Sequence, residues 1–160
     1  MARAAALTLP VLAVAWVGLI LIAPLSLAHG AIFLPSIVYE IGGLICHQRP
    51  ERSFHLAGVQ LPVCARCFGL YASAAAGAVA AVLTSAGHGA LDRRSAVILA
   101  VASLPTAVSV AVEWAGLAYP VGAARAMFAV PLGFAAAWLF VRALRASPSD
   151  RRLGRMRYHS

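Results

Sequence analysis

Charge is what this sequence has least of. Only 11% of its 160 residues are Asp, Glu, Lys or Arg, against roughly a quarter in an ordinary soluble domain. Hydrophobic residues make up 62%, and the mean hydropathy is +0.85. That scarcity excludes a soluble globular domain, a disordered tail and a fibrous repeat, and leaves an integral membrane protein. Acidic residues number five and lysine is absent, so the net charge of +8 rests entirely on thirteen arginines. Each span needs roughly 20 apolar residues, so the length allows about four helices and one substantial loop, with no room for a second domain.

What is present divides the chain along the same lines. Four apolar stretches run over about 7–28, 68–86, 95–117 and 122–141, with a loop at 29–67. Together, residues 1–146 read as one membrane domain, followed by a basic tail at 147–160. The first stretch is longer than the ~7–15 apolar residues of a secretory signal and reads as a retained anchor. Segment 31–45 is apolar but short and carries Pro35, Gly42 and Gly43; it is expected to be interfacial or re-entrant. The second stretch places Gly69, Ser73, Gly77 and Ala81 on one helix face, the pattern of a close helix–helix approach.

Arginines set the expected orientation. Arg93 and Arg94 in one short loop, and six more from Arg142 onwards, belong on the cytoplasmic side beside anionic headgroups. In a chain this apolar they do not point to nucleic acid. Both termini are then cytoplasmic, in the inner (plasma) membrane of a prokaryote, and loop 29–67 faces outward.

That loop concentrates the chemistry. All three cysteines, Cys46, Cys64 and Cys67, lie in it or at its end, with His29, His47 and His55. A Cys-x-x-Cys turn presents two sulfurs on one side of a tight loop; a third thiolate and an imidazole complete a tetrahedral set suited to zinc. Cys46, His47, Cys64 and Cys67 are the expected ligands. Cys46 and His47 can share one ion only in an extended or turn segment, since helical neighbours point about 100° apart. Alternatively one of them ligates and His55 or Glu51 completes the set.

The same cysteines also suit thiol redox chemistry. Arg66 between Cys64 and Cys67 at a helix start would depress a thiol pKa, an arrangement similar to membrane thiol-disulfide oxidoreductases that pass electrons to quinone. Those enzymes generally use two cysteine pairs, and this chain has three cysteines. A third reading is a structural or scaffolding protein with a structural zinc.

Glu113 and Arg125 are the charges inside the third and fourth stretches, and the topology brings both to the cysteine face. Ionisable groups within a span face inward, toward a partner or a polar cavity. Arg52, Gln60 and Arg66 are expected to line such a cavity. Glu51, Glu113 and Arg125 are candidate catalytic residues, a carboxylate acting as general base beside a zinc that polarises a substrate oxygen or activates water. A substrate arriving through the bilayer would be a lipid or an isoprenoid.

The run Cys46-His47-Gln48-Arg49-Pro50-Glu51-Arg52-Ser53-Phe54, followed by Gly58-Val59-Gln60-Leu61-Pro62-Val63-Cys64-Ala65-Arg66-Cys67-Phe68-Gly69-Leu70-Tyr71, resembles a family of prokaryotic membrane proteins known as domain of unknown function 2085. Further along, Arg125, Gly116 and Gly133 fit the family pattern. Ser109-Val110 stands where that pattern resembles Asp-Gly, Glu113 where it has Gln, and Phe128-Ala129 where it has Thr-Gly. The resemblance implies a site built around residues 46–71 and leaves the reaction open.

Overall fold

The computed structural model describes residues 2–84 and 91–146. Five helices account for most of them: α1 (Ala2–Ala28), α2 (Phe33–Ile45), α3 (Ala65–Leu83), α4 (Arg93–Trp114) and α5 (Gly122–Arg145). Between α2 and α3 lie a single 3-10 turn, Pro50–Arg52, and a two-stranded hairpin of β1 (His55–Leu56) and β2 (Val59–Gln60). The protein is an all-α membrane protein. Four helices are long and apolar enough to cross a bilayer, over Ala6–Ala28, Ala65–Leu83, Arg93–Trp114 and Gly122–Arg145.

The span boundaries differ from the sequence expectation for local reasons. α3 starts three residues early because Cys64, in extended conformation, is its N-cap, so Cys-x-x-Cys forms the first helical turn. α4 ends at Trp114 rather than near 117. Gly116 adopts φ +68°, and the N–H groups of Gly116 and Leu117 turn back to the carbonyls of Glu113 and Val112. This Schellman arrangement closes the helix, and Gly suits its left-handed position. α5 runs one turn beyond 141, which lets Arg145 donate to the Ala81 and Val82 carbonyls at the end of α3, at 2.8 and 3.4 Å. The expected tail at 147–160 lies outside the described residues.

α2 is a helix of 13 residues, roughly 20 Å long at 1.5 Å per residue, too short for a ~30 Å hydrocarbon core. The hydropathy pattern does not announce the hairpin; its turn, Ala57 and Gly58, takes φ of 52° and 78°, the left-handed pair a two-residue hairpin needs.

Packing between spans relies on small residues. α3 and α5 form the most extensive helix pair. A side chain at Gly69 would run into the Ala126 carbonyl, and one at Gly133 into Ser73 and the Leu70 carbonyl. The small-residue face of α3 is thus filled by α5 of the same chain. Outward, Val11, Leu12, Val97, Val101, Leu104 and Phe140 are exposed, as lipid-facing positions should be. Within α5, Pro131 removes one backbone donor, and Thr106 of α4 donates to the neighbouring Phe128 carbonyl at 2.8 Å. Asp92 caps α4 by accepting from the Ser95 N–H at 2.9 Å in a capping box.

Candidate functional site

Two glutamines hold the loop that delivers the first cysteine. Cys46 ends α2 in extended conformation, and Gln48 follows with φ 48°, a left-handed backbone that a non-glycine residue rarely adopts. From there the Gln48 Nε2 donates to the carbonyls of Tyr39 (2.7 Å) and Pro62 (2.8 Å). Gln60 Nε2 donates to the Gln48 carbonyl, and the Tyr39 hydroxyl donates to the Gln60 carbonyl. The end of α2 and the strand entering α3 are thereby stapled together. Gly42 permits their close approach, since a side chain there would strike the Pro62 carbonyl.

The staple brings residues 46 and 64 into contact. The Cys64 N–H points at the Cys46 Sγ, 3.2 Å away, and the sulfurs of Cys46, Cys64 and Cys67 all lie within 4.8 Å of one another. All three are free thiols, Cys46 buried and the other two half-buried. Beneath them Ile20, Leu61 and Val63 form a dry floor, flanked by Trp16, Phe54, Phe68 and Tyr71. The Cys64 thiol is lowered to about 5, chiefly by a hydrogen bond from the Cys67 thiol and against the opposing effect of burial; N–H groups of the first α3 turn and the Cys46 thiol add to the lowering. A tetrahedral ion with ~2.3 Å metal–sulfur bonds needs sulfurs about 3.8 Å apart. The trio, within 4.8 Å of one another, meets that spacing on closing by at most about 1 Å.

His47 does not join the sulfurs. Successive side chains of an extended segment point to opposite sides, so with Cys46 turned inward His47 is exposed at the mouth of the adjoining cavity. His55 is exposed on β1. Among the described residues, the three cysteines are the one group of His, Cys, Asp or Glu side chains spaced to hold a metal.

The cysteines form one wall of a cavity of about 510 Å³. Another part of its lining is charged. Glu113, near the end of α4 and buried, receives Arg66 (Nη2 to Oε1, 2.6 Å) and Arg125 (Nε to Oε1, 3.0 Å), with Arg52 3.8 Å from Oε2. Arg66 also donates to the Ser109 hydroxyl at 2.9 Å. Three guanidiniums around one carboxylate leave two positive charges in excess.

Arg52, Arg66, Glu113 and Arg125, all singled out from sequence, therefore meet here. Gln60 and Glu51 do not. Gln60 braces the loop from behind, and Glu51 is exposed, 3.8 Å from Arg49 and away from the cavity wall. Glu113, enclosed by guanidiniums, serves as their counterion. Sequence reasoning gave no role to Gln48 or to Trp114, which lines the cavity and is 91% exposed, and noted Ser109 only as a departure from the family pattern. Ser109 had a signal, since it lies one helical turn before Glu113 on the same face. The role of Gln48 had none, because its partners depend on a left-handed backbone.

Comparison with known proteins gives partial relatives and a family. Over 47 residues, 29% of this chain, the sequence is 45% identical to an uncharacterized protein of Methanocaldococcus jannaschii, covering 30% of that protein. Over 30 residues, 19% of the chain, it is 53% identical to an uncharacterized protein of Methanothermobacter thermautotrophicus, covering 27% of it. The chain thus spans less than a third of the length of either relative. No solved structure matches. Residues 46–139, from the first cysteine to near the end of α5, match the family described as predicted membrane protein (DUF2085), and the chain belongs to that family.

Proposed function

We propose that this protein holds a thiophilic divalent ion, zinc by preference, on Cys46, Cys64 and Cys67, with the fourth coordination position open to the arginine-lined cavity. The observation that carries this reading is the convergence of three free sulfurs, all within 4.8 Å, on one cavity wall. Thiolates select soft or borderline metals, and a zinc with three protein ligands is of the open rather than the closed structural kind. Bound there, zinc would supply Lewis acidity toward an oxygen or sulfur of a ligand in the cavity.

The chain's own groups have separable tasks. The N–H groups of Arg66 and Cys67 in the first turn of α3 point at the Cys64 sulfur and favour its thiolate form. Gln48 and Gln60 fix the distance between the two halves of the site. Glu113 holds Arg66 and Arg125 in place. The arginine distribution supports an orientation with the site on the outer face of a prokaryotic cytoplasmic membrane and both termini inside. A lipid or isoprenoid entering from the bilayer suits a cavity at that level.

Metal analysis of detergent-purified protein tests the reading. One zinc per chain in the wild type, lost in Cys64→Ser, is the expected result. A metal-free protein whose cysteines form a bond that quinone restores after reduction would replace it with the thiol-disulfide oxidoreductase reading.

A further inference from the structure

The excess of positive charge in the cavity is not needed to hold the helices together. One guanidinium, Arg125, 7% exposed, would suffice to neutralise Glu113, and their 3.0 Å contact already joins α4 to α5. Arg66 and Arg52 come to the same carboxylate from α3 and from the 3-10 turn, 22% and 38% exposed. Placing three like charges around one partner is unfavourable unless another anion joins them. The Arg66 Nε, buried, has no hydrogen-bond partner, and an orphaned buried guanidinium donor costs free energy until something accepts from it. Arg66 and Arg52 both line the cavity.

We infer that the cavity is a binding site for a dianionic phosphoryl group, held by Arg52, Arg66 and Arg125. A phosphate monoester carries about −1.5 to −2 charges at neutral pH, which matches the two uncompensated guanidiniums, and its oxygens suit the planar guanidinium fork. At about 510 Å³ the cavity exceeds what a phosphate alone fills, so the group arrives as an ester with a further moiety. Ile45 and Trp114, 51% and 91% exposed, stand at the opening and offer apolar surface to that moiety. Three thiolates around a divalent ion would carry one negative charge and leave the pocket positive. The inference deepens the reading of the site but stands on the arginines and the cavity alone.

Calorimetric titration of the purified protein, in a neutral detergent and phosphate-free buffer, tests it with two probes. The first is inorganic phosphate; the second is short-chain phosphatidic acid in mixed micelles, with phosphatidylcholine as blank. Saturable binding of phosphate and phosphatidic acid with equal affinity identifies the phosphoryl group itself as what is recognised. Phosphatidic acid binding at least tenfold tighter identifies a lipid headgroup as its source. Arg52→Gln, half-exposed and peripheral to the ion cluster, should weaken either probe about fivefold or more without altering the melting temperature. No saturable binding of either probe by folded wild type overturns the proposal, as does an unchanged affinity in Arg52→Gln. Metal content measured on the same samples keeps a failure of this proposal distinct from a failure of the metal reading.

Discussion

The two ends of the helix bundle are built on opposite principles. At the end where α3 finishes, Ala6, Ala78, Ala81 and Val141 pack into a small apolar cluster. Of the charges beside it, Arg142 lies over the Trp138 ring and Arg145 covers the last carbonyls of α3. At the other end, where α3 begins, three thiols, four arginines and a buried glutamate crowd one cavity. The first end is what small residues and helix capping produce by themselves. The second is costly to assemble, since buried charges and orphaned donors lower stability. Polar groups gathered at one end of an otherwise apolar bundle mark that end as the functional one.

This contrast can be broken by substitution. Glu113→Ala leaves three guanidiniums without their counterion and should cost about 3–5 kcal/mol, read as a large fall in melting temperature in detergent or failure to accumulate. An unchanged melting temperature would show that the charged end is not held by this carboxylate. Gly77→Leu, nearer the apolar end, pushes a side chain into the Phe134 carbonyl and should cost about 1–3 kcal/mol, while leaving metal content per folded chain as in wild type. Loss of metal there would mean that the two ends are coupled.

Gln48→Ala removes two hydrogen bonds that join the halves of the site. At about 1–2 kcal/mol, it should lower metal affinity roughly tenfold, measured by chelator competition, and lower the melting temperature by a few degrees. The smallest effect is expected at Asp92, whose Ala variant should cost about 1 kcal/mol of α4 capping. Hydrogen bonds from Ser95 hold the Asp92 carboxyl below its usual range. Its contribution is therefore complete above the unfolded-state pKa and lost as pH falls through the lowered value. Melting curves of wild type and Asp92→Ala should converge only in that acidic window.

Much of this architecture is legible in the amino-acid sequence. The four spans follow from composition, and the charge pattern brings Glu113 and Arg125 to the cysteine face. The spacing of Cys46, Cys64 and Cys67 announces a three-sulfur group. The early end of α4 has a local signal in Ala115-Gly116, a common helix stop, but the apolar run to 117 masks it. Other features have no local signature. His47 turns away because Cys46 is extended, and Gln60 braces the loop because a hairpin with an Ala-Gly turn reverses the chain before it. Neither follows from residue type.

The sequence by itself determined that this is a membrane protein of about four spans, because transfer into a bilayer sums over local residues and needs no partner. It also determined which residue types were available for chemistry. Only the tertiary structure decided which of them meet. Arg66 and Arg125 come from different helices, and Cys46 reaches Cys64 through a left-handed glutamine and a hairpin. Contacts of that kind are set by packing and by backbone angles far along the chain, which hydropathy and spacing do not encode.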